Sequence, residues 1–108
     1  MFQRARNGKY RQLLEGVHLK TLVHGELTLM GQFKLQKGAV VPAHGHVHEQ
    51  IGMLISGKLR FRVGDETFDA EAGDSWCIPG EVEHSAEALE DSVAVEVFSP
   101  VREEYLGK

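Results

Sequence analysis

Short apolar-alternating segments, divided by breaks that contain glycine or proline, constrain this chain more than any other feature. Leu27, Leu29, Phe33 and Leu35 recur at odd positions with polar residues between most of them, the period-2 signature of a half-buried strand. Leu59, Phe61 and Val63 alternate with Lys58, Arg60 and Arg62; Gly64-Asp65 then breaks the run, and Phe68 and Ala70 continue it. A Gly-Asp pair between two alternating runs predicts a hairpin, because glycine reaches positive φ without strain. Ala72-Gly73-Asp74 and Pro79-Gly80 flank the apolar Trp76-Cys77-Ile78, in which Trp76 and Cys77 are expected in the core. Val93, Val95 and Val97 form a last strand, whose other face carries Ala94, Glu96 and Phe98. No interior segment shows the periodicity of an amphipathic helix, so the expected fold is all-β, a sandwich or barrel. Only the tail departs. Ser99 as cap, Pro100 at the first helical position and Glu103 and Glu104 behind it predict a short helical turn.

With 108 residues the chain is expected to be one domain, 1–108. A net charge of −4 gives no basic footprint for nucleic acid. No run approaches the ~18 apolar residues of a membrane span. The polar, basic stretch from Met1 to Arg11 lacks the apolar core of a secretory signal, so the expected location is cytoplasmic. Cys77 is the single cysteine, which leaves no partner for an internal disulfide. Several strands are apolar on both faces. One face is expected to line the barrel and the other to meet a second copy, a homodimer that also covers strand edges.

The histidines concentrate the chemistry. His44, His46 and His48 stand together and His84 follows later. Residues two apart on a strand share a side about 6.6 Å apart, so His44 and His46 can converge on one ion. Gln50 joins them only if the chain bends between Val47 and Glu49, and His84 must arrive from a separate strand. His48 is expected to be exposed, and His18 and His24 to be surface or core histidines. If Gln50 points inward its neighbour Glu49 points out, though a bulge would allow that register to slip.

Gly38-x5-His44-x-His46-x3-Gln50-x6-Gly57 followed by Gly73-x5-Pro79-x4-His84 resembles the two-part signature of the cupin superfamily. The motifs lie within 38–57 and 73–84. The resemblance implies a double-stranded β-helix, the cupin or jelly-roll barrel, with one divalent transition metal ion held by His44, His46, Gln50 and His84. The ion would be nickel, zinc, iron, manganese or cobalt, since this donor set suits all five. Gln50 stands where most cupins carry glutamate, Glu81 where the second motif has glycine, and Ala88 where it has asparagine. Without a carboxylate among its ligands, the centre would favour anionic ligands and lacks the two-His-one-carboxylate set of iron oxygenases.

A further resemblance links His44-Gly-His46-Val-His48-Glu49-Gln50-Ile51-Gly52 and the ending Val97-Phe98-Ser99-Pro100-Val101-Arg102-Glu103-Glu104-Tyr105-Leu106 to small single-domain cupins of pectin and alginate breakdown. It implies an enzyme that ketonises 4,5-unsaturated uronates, with Glu96 and Arg102 as catalytic residues and Phe98 against the sugar. Glu96 replaces the usual aspartate of that family and lengthens the arm by one methylene. Arg102 is expected to clamp the substrate carboxylate, with Arg60 as a further substrate-binding candidate. A metal-dependent dioxygenase and a non-catalytic sensor stay open at this level, as does a surface position for Glu96 with the valines facing in.

Overall fold

Alternation of inward and outward side chains organises the molecule, and the computed structural model describes it over residues 1–106. Ten strands follow one another: β1 (Arg11–Leu14), β2 (Val17–His24), β3 (Leu29–Leu35), β4 (Val40–His44), β5 (Glu49–Ser56), β6 (Lys58–Val63), β7 (Glu66–Glu71), β8 (Ser75–Ile78), β9 (His84–Ala88) and β10 (Ser92–Ser99). They form an antiparallel sheet in the order β1-β2-β3-β10-β5-β8 and a second in the order β4-β9-β6-β7. The inner faces pack on one another through buried residues such as Leu19, Leu29, Leu54, Leu59, Ile78 and Phe98. This is the all-β, two-sheet barrel expected from the alternating runs. No helix among the described residues is long and apolar enough to cross a membrane.

The hairpin signal is realised between β6 and β7: Val63 pairs with Glu66 across Gly64-Asp65, with Gly64 at φ 57°. Gly57 alone carries the chain from β5 in the first sheet to β6 in the second, at φ 93°. A Cβ there would lie 2.3 Å from the Asp91 carbonyl oxygen. Both the conformation and the space therefore require glycine.

Three local expectations are corrected. The first alternating run begins at Leu29, since Leu27 is exposed before β3 starts. Trp76 is buried, but Cys77 points outward, because its neighbours Trp76 and Ile78 take the inward face of β8. The terminal turn is a 3-10 turn over Glu103–Tyr105, entered from an extended Arg102. Ser99 caps nothing, because it is still paired with Glu49 at the end of β10.

The outer face of the larger sheet is apolar across strands. Val23, Met30, Val97, Ile51 and Cys77 form one cross-strand row, with Val95 and Met53 beside it. Ile51, Met53 and Ile55 are each close to half exposed. Gly57→Ala combines a disfavoured φ with a backbone clash and is expected to cost roughly 2–3 kcal/mol. A urea titration read by Trp76 fluorescence measures it.

Candidate metal centre

A bulge turns β4 toward the pocket. In its pairing with β9, Val41 faces Ala86 and His44 faces His84, so three steps on β4 match two on β9. Strict alternation from the pocket-lining Val41 would send Ala43 inward and His44 out; the extra residue reverses that parity. His44 and His84 thus stand opposite one another with ring centroids 4.3 Å apart. After His44 the chain leaves the smaller sheet, bends at Val47 and enters the larger sheet at Glu49. His46 lies within that crossing, its ring 5.0 Å from His84 and 5.4 Å from His44. The crossing is tied down by the Glu81 amide, which donates to the His46 carbonyl at 2.7 Å. Glu81 adopts φ 69° to do so, which explains the glycine that the motif has at this position.

Gln50 is buried on the inner face of β5, while Glu49 is exposed. The register slip that would have brought Glu49 inward does not occur. The ligand atoms of His44, His46 and His84 lie within 4.8 Å of one another. Gln50 Oε1 is 3.0 Å from His46 Nε2. Two ligands bound at right angles about 2.1 Å from one ion stand roughly 3.0 Å apart, so this spacing suits neighbouring ligands. Backbone carbonyls orient two of the rings. Nδ1 of His44 donates to the Pro42 carbonyl and Nδ1 of His84 to the Val82 carbonyl, each at 2.9 Å. Their Nε2 lone pairs are left for another partner. His46 Nδ1 is buried without any partner. Burial, followed by the charge of Arg102, lowers the His46 pKa from 6.5 to about 4. Burial also lowers that of His84. Both rings are therefore neutral near pH 7, the state a metal ligand requires. The donor set fits a divalent transition metal.

Next to the histidines is a cavity of about 310 Å³ whose apolar lining includes Phe33, Leu35 and Leu59. His44, Gln50, His84, Glu96, Phe98 and Arg102 line it as well. Glu96 faces inward on β10, as do Ala94 and Phe98, while the valines take the outer face. It sits between Gly31 of β3 and Gly52 of β5, and the missing side chain of Gly52 leaves it room. Its Oε2 accepts from Gln50 Nε2 at 2.6 Å and from Trp76 Nε1 at 2.9 Å. No hydrogen bond reaches its Oε1 among the described residues. Burial raises its pKa, against the pull of those two donors.

Arg102 stacks on Tyr105, its guanidinium carbon 4.4 Å from the ring centroid, and lies 5.4 Å from that of Phe98. Its Nε is 3.3 Å from Glu104 Oε2 but makes no hydrogen bond. Arg60 is elsewhere. Leu59 and Phe61 hold the inner face of β6, so Arg60 points to solvent, where Asp69 binds it at 2.8 and 3.1 Å. The structure removes it from the substrate-binding candidates. His48 is half-buried rather than exposed, with its ring 5.4 Å from that of His46. Tyr105 and Trp76 line the cavity although sequence reasoning gave them no role there. The aromatic ending after Arg102 was the available signal for Tyr105.

The cupin domain family model matches residues 31–100. Comparison with curated proteins finds no match. Among solved structures, KdgF from Halomonas sp. is similar at 29% identity and a TM-score of 0.93, covering 98% of each chain. An RmlC-like cupin from Shewanella frigidimarina NCIMB 400 has 24% identity over 97% of this chain and 95% of its own, with a TM-score of 0.93. A predicted oxalate decarboxylase from Thermotoga maritima has 20% identity over 93% and 99%, with a TM-score of 0.78. The last two show the fold alone.

In metal-free protein, long-range nitrogen NMR of the imidazoles should show His44 and His84 as Nδ1–H tautomers. His46 should stay neutral until about pH 4. A histidine pKa depressed by folding favours the unfolded chain once protonation begins. The His46 contribution to stability is therefore fully present above pH 6.5 and is lost as pH falls toward about 4.

Proposed function

The chain belongs to the cupin domain family, and on that premise we propose that it is a metal-dependent enzyme that ketonises 4,5-unsaturated uronates. One observation carries the reading. Glu96, Phe98 and Arg102, from the C-terminal run, line one cavity with His44, Gln50 and His84. The full-length similarity to KdgF from Halomonas sp. supports it. His44, His46, Gln50 and His84 would hold one divalent ion. When bound, such an ion supplies Lewis-acid polarisation of the substrate oxygens.

The remaining work falls to the protein. Arg102, its guanidinium carbon 4.4 Å from the Tyr105 ring centroid, offers its guanidinium to the uronate carboxylate as a two-point clamp. Phe98 supplies a flat apolar surface beneath the sugar ring. Ring opening breaks the bond between C1 and the ring oxygen, and C1 becomes the aldehyde as its hydroxyl loses a proton. The ring oxygen becomes the C5 ketone as the C4–C5 double bond takes up a proton at C4. One proton moves from the C1 hydroxyl to C4, with no net oxidation. Glu96 Oε1, free of hydrogen bonds, is the atom to accept and return it. A carboxyl whose pKa burial raises is a better proton donor near neutral pH than an exposed one.

We further propose that a second copy of the chain covers the uncharged row of Val23, Met30, Val97, Ile51 and Cys77. A cross-strand strip of this kind, apolar and free of charge, is what a homodimer buries.

Protein loaded with a divalent ion should consume an unsaturated uronate monomer, read as loss of its alkene absorbance, and chelation should stop it. Glu96→Gln is expected to lower kcat on the order of 10²-fold or more, and Arg102→Ala to act mainly on KM. Full turnover by Glu96→Gln would remove Glu96 from proton transfer. In sedimentation velocity the chain should run as a dimer, and Met53→Glu as a monomer.

A further inference from the structure

We propose that Glu96 is also the residue that makes Gln50 an oxygen donor, so that the carboxylate of this centre stands behind the ligand instead of in it. The inference rests on the metal-binding reading above. A glutamine amide has two nearly isosteric ends, one accepting and one donating. A carboxylate only accepts. With Glu96 Oε2 at 2.6 Å, only Nε2 of Gln50 can face it, and Oε1 is turned to the histidines. The reversed amide would set two oxygens against each other at Glu96 and turn to the histidines an N–H₂ group, which cannot ligate an ion.

The arrangement around Glu96 is built for this. Trp76, Gly52 and Glu96 pair across β8, β5 and β10 in one row. Gly52, in the middle, has no side chain, so the Trp76 indole N–H reaches over it to the same Oε2. A Cβ at Gly52 would lie 2.7 Å from the indole and 2.8 Å from Glu96 Cγ. Held by two donors, the carboxylate cannot turn away from Gln50. Among the described residues no Lys or Arg forms an ion pair with Glu96. A buried carboxylate without a paired cation is costly, and a cation seated beyond Gln50 would offset that cost. Glu96 acts here through Gln50, as a positioning residue.

The test is a double-mutant cycle with Co²⁺ alone as the probe. Affinity is read by competition with a chromophoric chelator and geometry by the visible Co²⁺ absorption. In the Gln50 background, Glu96→Leu should lower Co²⁺ affinity by roughly 10–100-fold and change the Co²⁺ spectrum. In the Gln50→Glu background both ends of residue 50 are oxygens, so orientation no longer matters and Glu96→Leu should cost nothing. Should the leucine variant fail to fold, Glu96→Gln runs the same cycle, with a smaller loss beside Gln50 and none in the Gln50→Glu background. Equal losses in both backgrounds, or none in either, would overturn the proposal. A wild-type chain that binds no Co²⁺ overturns the metal reading as well, so the two failures are told apart.

Discussion

The bulge in β4 between Val41 and His44 is the constraint on which the pocket depends. Side chains on a strand alternate, so one inserted residue decides whether His44 meets His84 or solvent. With His44 turned in, the pair contributes a histidine from each of two neighbouring strands. The crossing from the smaller to the larger sheet then adds His46 and delivers Gln50. The Glu81 amide ties that crossing to the loop before His84, so the two halves of the site are joined through backbone as well as through side chains.

Behind these residues the larger sheet contributes a second set of contacts through β10. Glycines pair with Glu96 on both neighbouring strands, and the space that Gly52 leaves lets a buried carboxylate reach Gln50 and Trp76. The centre is therefore not without a protein carboxylate, as the donor set alone implies. It has one, a residue removed from the ligand position. The cavity beside it is lined both by histidines, Glu96 and Arg102 and by apolar residues such as Phe33, Leu35 and Leu59.

Much of this was legible in the amino-acid sequence. The alternating runs from Leu29 onward, the Gly64-Asp65 hairpin and the long motif from Gly38 to His84 pointed to a barrel with converging histidines. β2 carried a readable signal as well, in Val17-His18-Leu19-Lys20, although no strand was expected there. Other features were not legible because they depend on pairing. Arg60 looked like a substrate contact until Leu59 and Phe61 claimed the inner face of its strand. Cys77 looked buried until Trp76 and Ile78 did the same on β8. The helical turn begins later than its composition suggests, because Ser99 remains committed to the sheet.

Sequence alone indicated the class of fold and, through the resemblance of its motifs to the cupin signature, the four candidate ligands. Periodicity, glycine placement and motif spacing are local properties, and they persist whatever the rest of the chain does. Only the tertiary structure decided which way Glu96 points, and that Arg102 packs on Tyr105 at the same cavity. It alone showed that Gln50 is held by a carboxylate contributed 46 residues further along the chain. A strand with apolar residues on both faces has two orientations of nearly equal local merit. The neighbour across the sheet, here Gly52, chooses between them by leaving space on the inner face, where a Cβ would lie 2.8 Å from Glu96 Cγ.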